Sequence, residues 1–178
     1  PLFADVPVDM TEEEIEISRS TPRFRFDSPP PAAPAGGGTE PALEPTPAAV
    51  AFVEETVRDA DEPVVMFALE WCEFCWSARK LFAALDIPYR SVDLDAVAYQ
   101  ADDLGGRIRA ALTARTGCRT IPQIFVGGEF IGGCTDLFDA WNEGRLARLL
   151  EQHGVGFRRG AKIDPYALLP GWLHPREA

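Results

Sequence analysis

The chain has 178 residues, enough for one domain with a proper core, and its 28 acidic against 17 basic residues leave a formal charge of -11. A charge of that sign repels phosphate backbones and anionic membrane surfaces, which argues against nucleic acid or lipid as a partner. No apolar run of about 18 residues occurs, and Pro1-Leu2-Phe3-Ala4-Asp5 has neither a basic segment nor an apolar core, so neither a membrane span nor a signal peptide is expected, and the expected setting is cytoplasmic.

Residues 1–27 read as an N-terminal extension, with an acidic run at Glu12-Glu13-Glu14 and an alternating Arg23-Phe24-Arg25-Phe26-Asp27 suited to an edge strand or a docking segment. Seven prolines fall from Pro29 to Pro47, with alanines and glycines between them, which makes 28–47 an extended linker too poor in apolar surface to fold. The domain boundary is placed near Pro47. Residues 48–153 form the domain and 154–178 a C-terminal tail.

Ala48 to Ala60 opens the domain as a short helix. Val64-Val65-Met66-Phe67-Ala68-Leu69 is apolar without alternation, the pattern of a strand buried on both faces. Cys75, Ala78, Phe82 and Leu85 recur at helical spacing, predicting a helix from about Glu73 to Leu85 that ends before Asp86-Ile87-Pro88. Tyr89 to Leu94 reads as a second strand. Leu104, Ile108, Ala111 and Leu112 mark another amphipathic helix with Gly117 as its C-cap. Ile124-Phe125-Val126 and Glu129-Phe130-Ile131 flank Gly127-Gly128 as a hairpin. Helices follow from Asp136 to about Gln152. The order β-α-β-α-β-β-α describes an α/β, thioredoxin-like layout, a four-stranded mixed sheet flanked by helices. The tail carries an apolar patch without periodicity, Leu168-Leu169-Pro170-Gly171-Trp172-Leu173, which packs on this domain or on a partner.

Four cysteines in such a chain are no disulfide scaffold, and a Cys-x-x-Cys at a strand-to-helix junction reads as redox or metal chemistry. Cys72 stands where the helix N-terminus directs free N–H groups and partial positive charge at its sulfur, which favours the thiolate. Cys75, one turn on, can attack a mixed disulfide formed on Cys72. Zinc needs about four ligands. Cys118 and Cys134 are separated by 15 intervening residues and only His153 and His174 remain, so no metal is expected. Pro122 in Arg119-Thr120-Ile121-Pro122 precedes a strand opposite the redox motif; a cis bond there would present the Ile121 backbone to an extended thiol substrate. Gly132-Gly133-Cys134-Thr135-Asp136 leaves uncovered N–H groups at a helix start, with Thr135 or Asp136 able to cap, a natural cradle for a carboxylate.

Together, Trp71-Cys72-Glu73-Phe74-Cys75, Thr120-Ile121-Pro122 and Gly132-Gly133-Cys134-Thr135-Asp136, at these separations, resemble the glutaredoxin family over about residues 62–150. The resemblance implies a glutathione-dependent thiol-disulfide oxidoreductase that reduces protein disulfides or glutathionylated proteins, with glutathione as its cofactor-like substrate. Cys72 would be the nucleophile and Cys75 the resolving thiol. Arg119, Thr120, Ile121, Pro122, Cys134, Thr135 and Asp136 would form the glutathione site, with Ile121 pairing the glutathionyl cysteine and Thr135 and Asp136 holding the γ-glutamyl end. Three departures stand out. Glu73 replaces the proline common after the first cysteine, and its charge should disfavour the thiolate. Leu69 and Glu70 occupy the place of a frequent basic residue. Trp71 is more reminiscent of thioredoxins, which makes a thioredoxin-like reductant with another electron donor one alternative. A second alternative is a carrier in which Cys72 and glutathione of two subunits hold a [2Fe-2S] cluster. Similar modules occur fused to or beside larger enzymes, so a dedicated partner enzyme is a further expectation.

Overall fold

The structure, a computed structural model, describes residues 43–173. The N-terminal extension, the linker as far as residue 42, and tail residues 174–178, with His174, lie outside the described residues. Thr46 starts the first helix, α1 (Pro47–Val57): its Oγ1 accepts the Ala49 N–H at 3.3 Å, and Pro47 occupies the first turn, where a missing amide costs nothing. The helix stops short of the expected Ala60. The Asp59 carboxylate accepts the Asp61 N–H at 2.9 Å, a local turn that competes with helix.

Strand β1 (Val64–Ala68) is buried along its whole length, as its unbroken apolar run predicts. Val64, Met66 and Ala68 face one apolar layer, and Val65 and Phe67 the other. β1 pairs in parallel with β2 (Arg90–Asp93), with Phe67 opposite Val92, and helix α2 (Glu73–Ala84) makes the crossover. On its other side β1 runs antiparallel to β3 (Gln123–Val126), which continues through Gly127-Gly128 into β4 (Glu129–Gly132). The two turn glycines have φ of 57° and 83°, the left-handed pair that a two-residue hairpin of this kind needs. The sheet order is β2-β1-β3-β4, the four-stranded mixed sheet expected from the element order.

Helices α1 and α3 (Leu104–Thr116) cover one face through Val53, Val57, Ile108 and Leu112. Helices α2, α4 (Cys134–Asn142) and α5 (Arg145–Gln152) cover the other through Leu81, Phe82, Phe138 and Leu150. Helix α4 begins two residues before the expected Asp136.

The tail's apolar patch packs on this domain. The short helical turn Pro165–Leu168 lies against α2 and α4, with Leu168 and Leu169 on the buried cluster. Ser77 Oγ, buried in α2, donates to the Leu168 carbonyl at 2.8 Å. The Tyr166 ring stands edge-on to Phe138 at 5.5 Å, and its hydroxyl donates to Asp139 at 2.5 Å.

Candidate active site

The redox pair sits at the C-terminal end of β1. Cys72 is the N-cap of α2: its backbone is extended, and its sulfur accepts the Cys75 N–H at 3.4 Å. The helix thus aims one of its free amides at the sulfur, as the motif requires. Cys72 is half-buried and reachable from solvent, whereas Cys75 is fully buried among Ala78, Phe82 and the β1 side chains. Burial, followed by the hydrogen bond to Cys72, pushes the Cys75 thiol up to about 12, so at neutral pH it holds its proton. Of the two thiols, Cys72 is the one a substrate can reach.

Across from Cys72, the Ile121–Pro122 peptide bond is cis, as expected, and the Ile121 carbonyl lies 3.9 Å from the Cys72 sulfur. The loop before it is held by a residue that sequence reasoning missed. Gln123 is the one fully buried polar residue of the sheet. Its Nε2 donates to the Cys118 carbonyl at 2.8 Å and to the Thr120 carbonyl at 3.3 Å, and its Oε1 accepts from the Thr116 hydroxyl at 3.1 Å. A lone amide in an apolar strand was the available signal.

A groove of about 310 Å³ runs beside this loop. Phe74, Cys118, Thr120, Pro122 and Phe130 line it together with Gly132 to Asp136 at the N-terminal end of α4. At that end the Asp136 carboxylate reaches back to accept the Gly133 N–H at 2.8 Å, completing a cap at the start of α4, while Thr135 is exposed. Gly132 holds φ of 122°, and a Cβ there would stand 2.3 Å from Asp136 Oδ2, so only glycine lets the carboxylate fold back. Cys134 is buried behind the groove, and its thiol is also raised to about 12, by burial and then by the charge of Cys72.

The structure therefore gathers Cys72, Cys75, Thr120, Ile121, Pro122, Cys134, Thr135 and Asp136 around one end of the sheet. Arg119 is placed differently. Its side chain is exposed in a neighbouring depression with Arg109, whose guanidinium donates to the Arg119 carbonyl at 3.2 Å. Phe74, Cys118 and Phe130 join the groove without having been singled out as binding residues. Among the described residues no group of three or more His, Cys, Asp or Glu side chains is arranged to hold a metal ion. The depressions around His153, around Phe157 and around Arg109 contain no cysteine.

The family model for glutaredoxin matches residues 64–131. Glutaredoxin-C6 of Oryza sativa subsp. japonica is 39% identical over 107 residues, covering 60% of this chain and 89% of that protein. The mitochondrial glutaredoxin-2 of Homo sapiens is 40% identical over 100 residues, or 56% of this chain and 57% of the human protein, so the chain spans little more than half of that relative's length. Among solved structures, a wheat glutaredoxin superposes with a TM-score of 0.54 at 37% identity, covering 61% of this chain and 97% of that one. A buckwheat glutaredoxin-glutathione complex gives 0.54 at 34% identity, covering 60% and 91%. The matched span includes both cysteines of the motif and the cis proline.

Proposed function

Since the chain belongs to the glutaredoxin family of thiol-disulfide oxidoreductases, we propose that it uses glutathione to reduce protein disulfides and glutathione mixed disulfides through Cys72. The observation that carries this reading is the groove in which Phe74 and the cis Pro122 come together with the capped N-terminal end of α4. A tripeptide with a carboxylate and an ammonium at its γ-glutamyl end matches that end. The α4 amides suit the carboxylate and Asp136 suits the ammonium. The Ile121 backbone pairs the glutathionyl cysteine. Arg119 and Arg109 supply positive charge near the other carboxylate.

The chemistry follows from which thiol is exposed. The Cys72 thiolate attacks the glutathionyl sulfur of a mixed disulfide; the Cys72–glutathione disulfide forms, the substrate disulfide breaks, and the departing thiolate takes a proton from water. A second glutathione thiolate then attacks this intermediate, leaving oxidised glutathione and free Cys72. With a protein disulfide, Cys75 loses its proton and attacks the Cys72 sulfur of the mixed disulfide, releasing the substrate thiol. Two glutathiones then reduce the Cys72–Cys75 disulfide. Two of the causes that hold Cys75 protonated are the hydrogen bond to Cys72 and the charge on Cys72, and both vanish once Cys72 is in a disulfide. The resolving thiol thus becomes easier to ionise at the stage that needs it.

The test is glutathione-dependent reduction of a small mixed disulfide by wild type, Cys72→Ser and Cys75→Ser. Turnover should vanish with Cys72→Ser and persist with Cys75→Ser. A wild type that is inactive with glutathione but active with another dithiol donor would overturn the reading.

A further inference from the structure

Three of the chain's four tryptophans stand exposed around the redox motif: Trp71 at 80%, Trp172 at 65% and Trp76 at 44% exposure. Indoles left this open usually mark a contact surface. They form one connected rim. The Trp71 and Trp76 rings are 6.0 Å apart. Trp76 is three residues from Glu73, on the same side of the first turn of α2. The Trp172 indole N–H donates to Glu73 Oε2 at 2.6 Å, and its ring stands edge-on to Phe74 at 6.5 Å, where Phe74 already lines the groove. Trp172 belongs to the tail, beyond the span of the family model, and the Ser77 and Tyr166 contacts fasten that tail to α2 and α4.

Carboxylates are interleaved with these rings. Glu70, Glu73 and Asp95 are exposed, and none of them makes an ion pair among the described residues; Asp95 accepts the Glu70 N–H at 2.9 Å, and Glu73 accepts from the Trp172 indole. Arg79 is bound to Asp93 at 2.6 Å, and exposed Lys80, the next residue of α2, makes no ion pair with these carboxylates among the described residues. Open indole faces beside uncompensated carboxylates favour a cationic side chain twice, through the ring faces and through charge.

We propose that this rim docks a polypeptide substrate carrying arginine or lysine beside its disulfide-bonded cysteine, so that protein substrates are chosen by their flanking charge. The inference rests on the glutathione reading of the groove and adds the class of protein it serves. Two glutathionylated peptides, alike except for arginine or glutamate on both sides of the cysteine, test it. In wild type, kcat/KM for the arginine peptide should exceed that for the glutamate peptide by about tenfold at low salt, and the ratio should shrink toward unity as salt screens the carboxylates. Trp172→Ala and Glu70→Gln should each lower the ratio. Because it is taken within one variant, any change in the shared chemistry cancels. Should wild type turn over neither peptide nor the small mixed disulfide, the glutathione reading fails, and docking is read instead from quenching of tryptophan emission on Cys72→Ser, where the arginine peptide must bind more tightly. Equal kcat/KM for the two peptides, or a preference that salt leaves untouched, overturns the proposal.

Discussion

Raising the pH should destabilise this domain through two buried thiols. Cys75 and Cys134 are 0% and 4% exposed, and each is raised from an ordinary 9.0 to about 12 in the folded chain. A folded-state value above the unfolded one means that the folded protein keeps a proton which the unfolded chain gives up. The stabilisation is therefore complete below pH 9 and is lost as pH climbs from 9 toward 12. Each thiol contributes a slope of about 1.4 kcal/mol per pH unit in that window, so the pair should remove about 3 kcal/mol between pH 8 and pH 10. Against a total of roughly 5–15 kcal/mol for a domain, that is a large share. Urea denaturation under reducing conditions at pH 7, 8, 9 and 10 measures it directly, beside a Cys75→Ala/Cys134→Ala variant. The variant starts lower because it has lost packing, but its stability should fall less steeply. Tyr166, whose hydroxyl is also raised to about 12, chiefly by its bond to Asp139, feels the Cys134 charge as well, so both proteins are compared in a Tyr166→Phe background. Parallel curves for the two would show that the buried thiols do not carry the alkaline loss.

Native alkylation should separate the four cysteines. At pH 8 a thiol at about 12 is ionised in about one molecule in ten thousand, so iodoacetamide should label half-exposed Cys72 and Cys118 and spare Cys75 and Cys134 until denaturant is added, as mass spectrometry would report. Asp136→Asn keeps an acceptor for the Gly133 N–H but loses the charge, and should raise the KM for glutathione about tenfold with the melting temperature little changed; Asp136→Ala should add about 1 kcal/mol of lost capping, read by urea melts. Ser77→Ala removes a buried donor from the Leu168 carbonyl and should cost about 1 kcal/mol or more, with faster proteolytic cleavage of the tail.

Much of this site could be read from sequence because its chemistry is local. The Cys72-to-Cys75 spacing and the Gly127-Gly128 turn each depend on a few adjacent residues, and the structure places both where those residues demand. The both-face burial of β1 was equally legible, since a five-residue apolar run has no solvent-facing register. The start of α4 lies two residues ahead of Asp136, because that carboxylate, the helix's third residue, caps backward onto the Gly133 N–H rather than opening the helix. Docking of the tail was not legible: short helical turns have no amphipathic period, and the Ser77–Leu168 bond spans 91 residues. The placement of Arg119 depended on Gln123, whose buried amide ties down the carbonyls on either side of that arginine, a constraint that no spacing announces.

Cys72, the proposed nucleophile, is also the N-cap of α2, which couples the redox state of its sulfur to the start of that helix. A thiolate is a strong acceptor for the Cys75 N–H, and a disulfide sulfur is a poor one. Each turn of the cycle therefore weakens the cap when Cys72 is oxidised and restores it on reduction. The first turn of α2 is a built-in gauge of oxidation: the Cys75 amide should exchange its hydrogen faster, and shift its resonance, whenever Cys72 carries a partner.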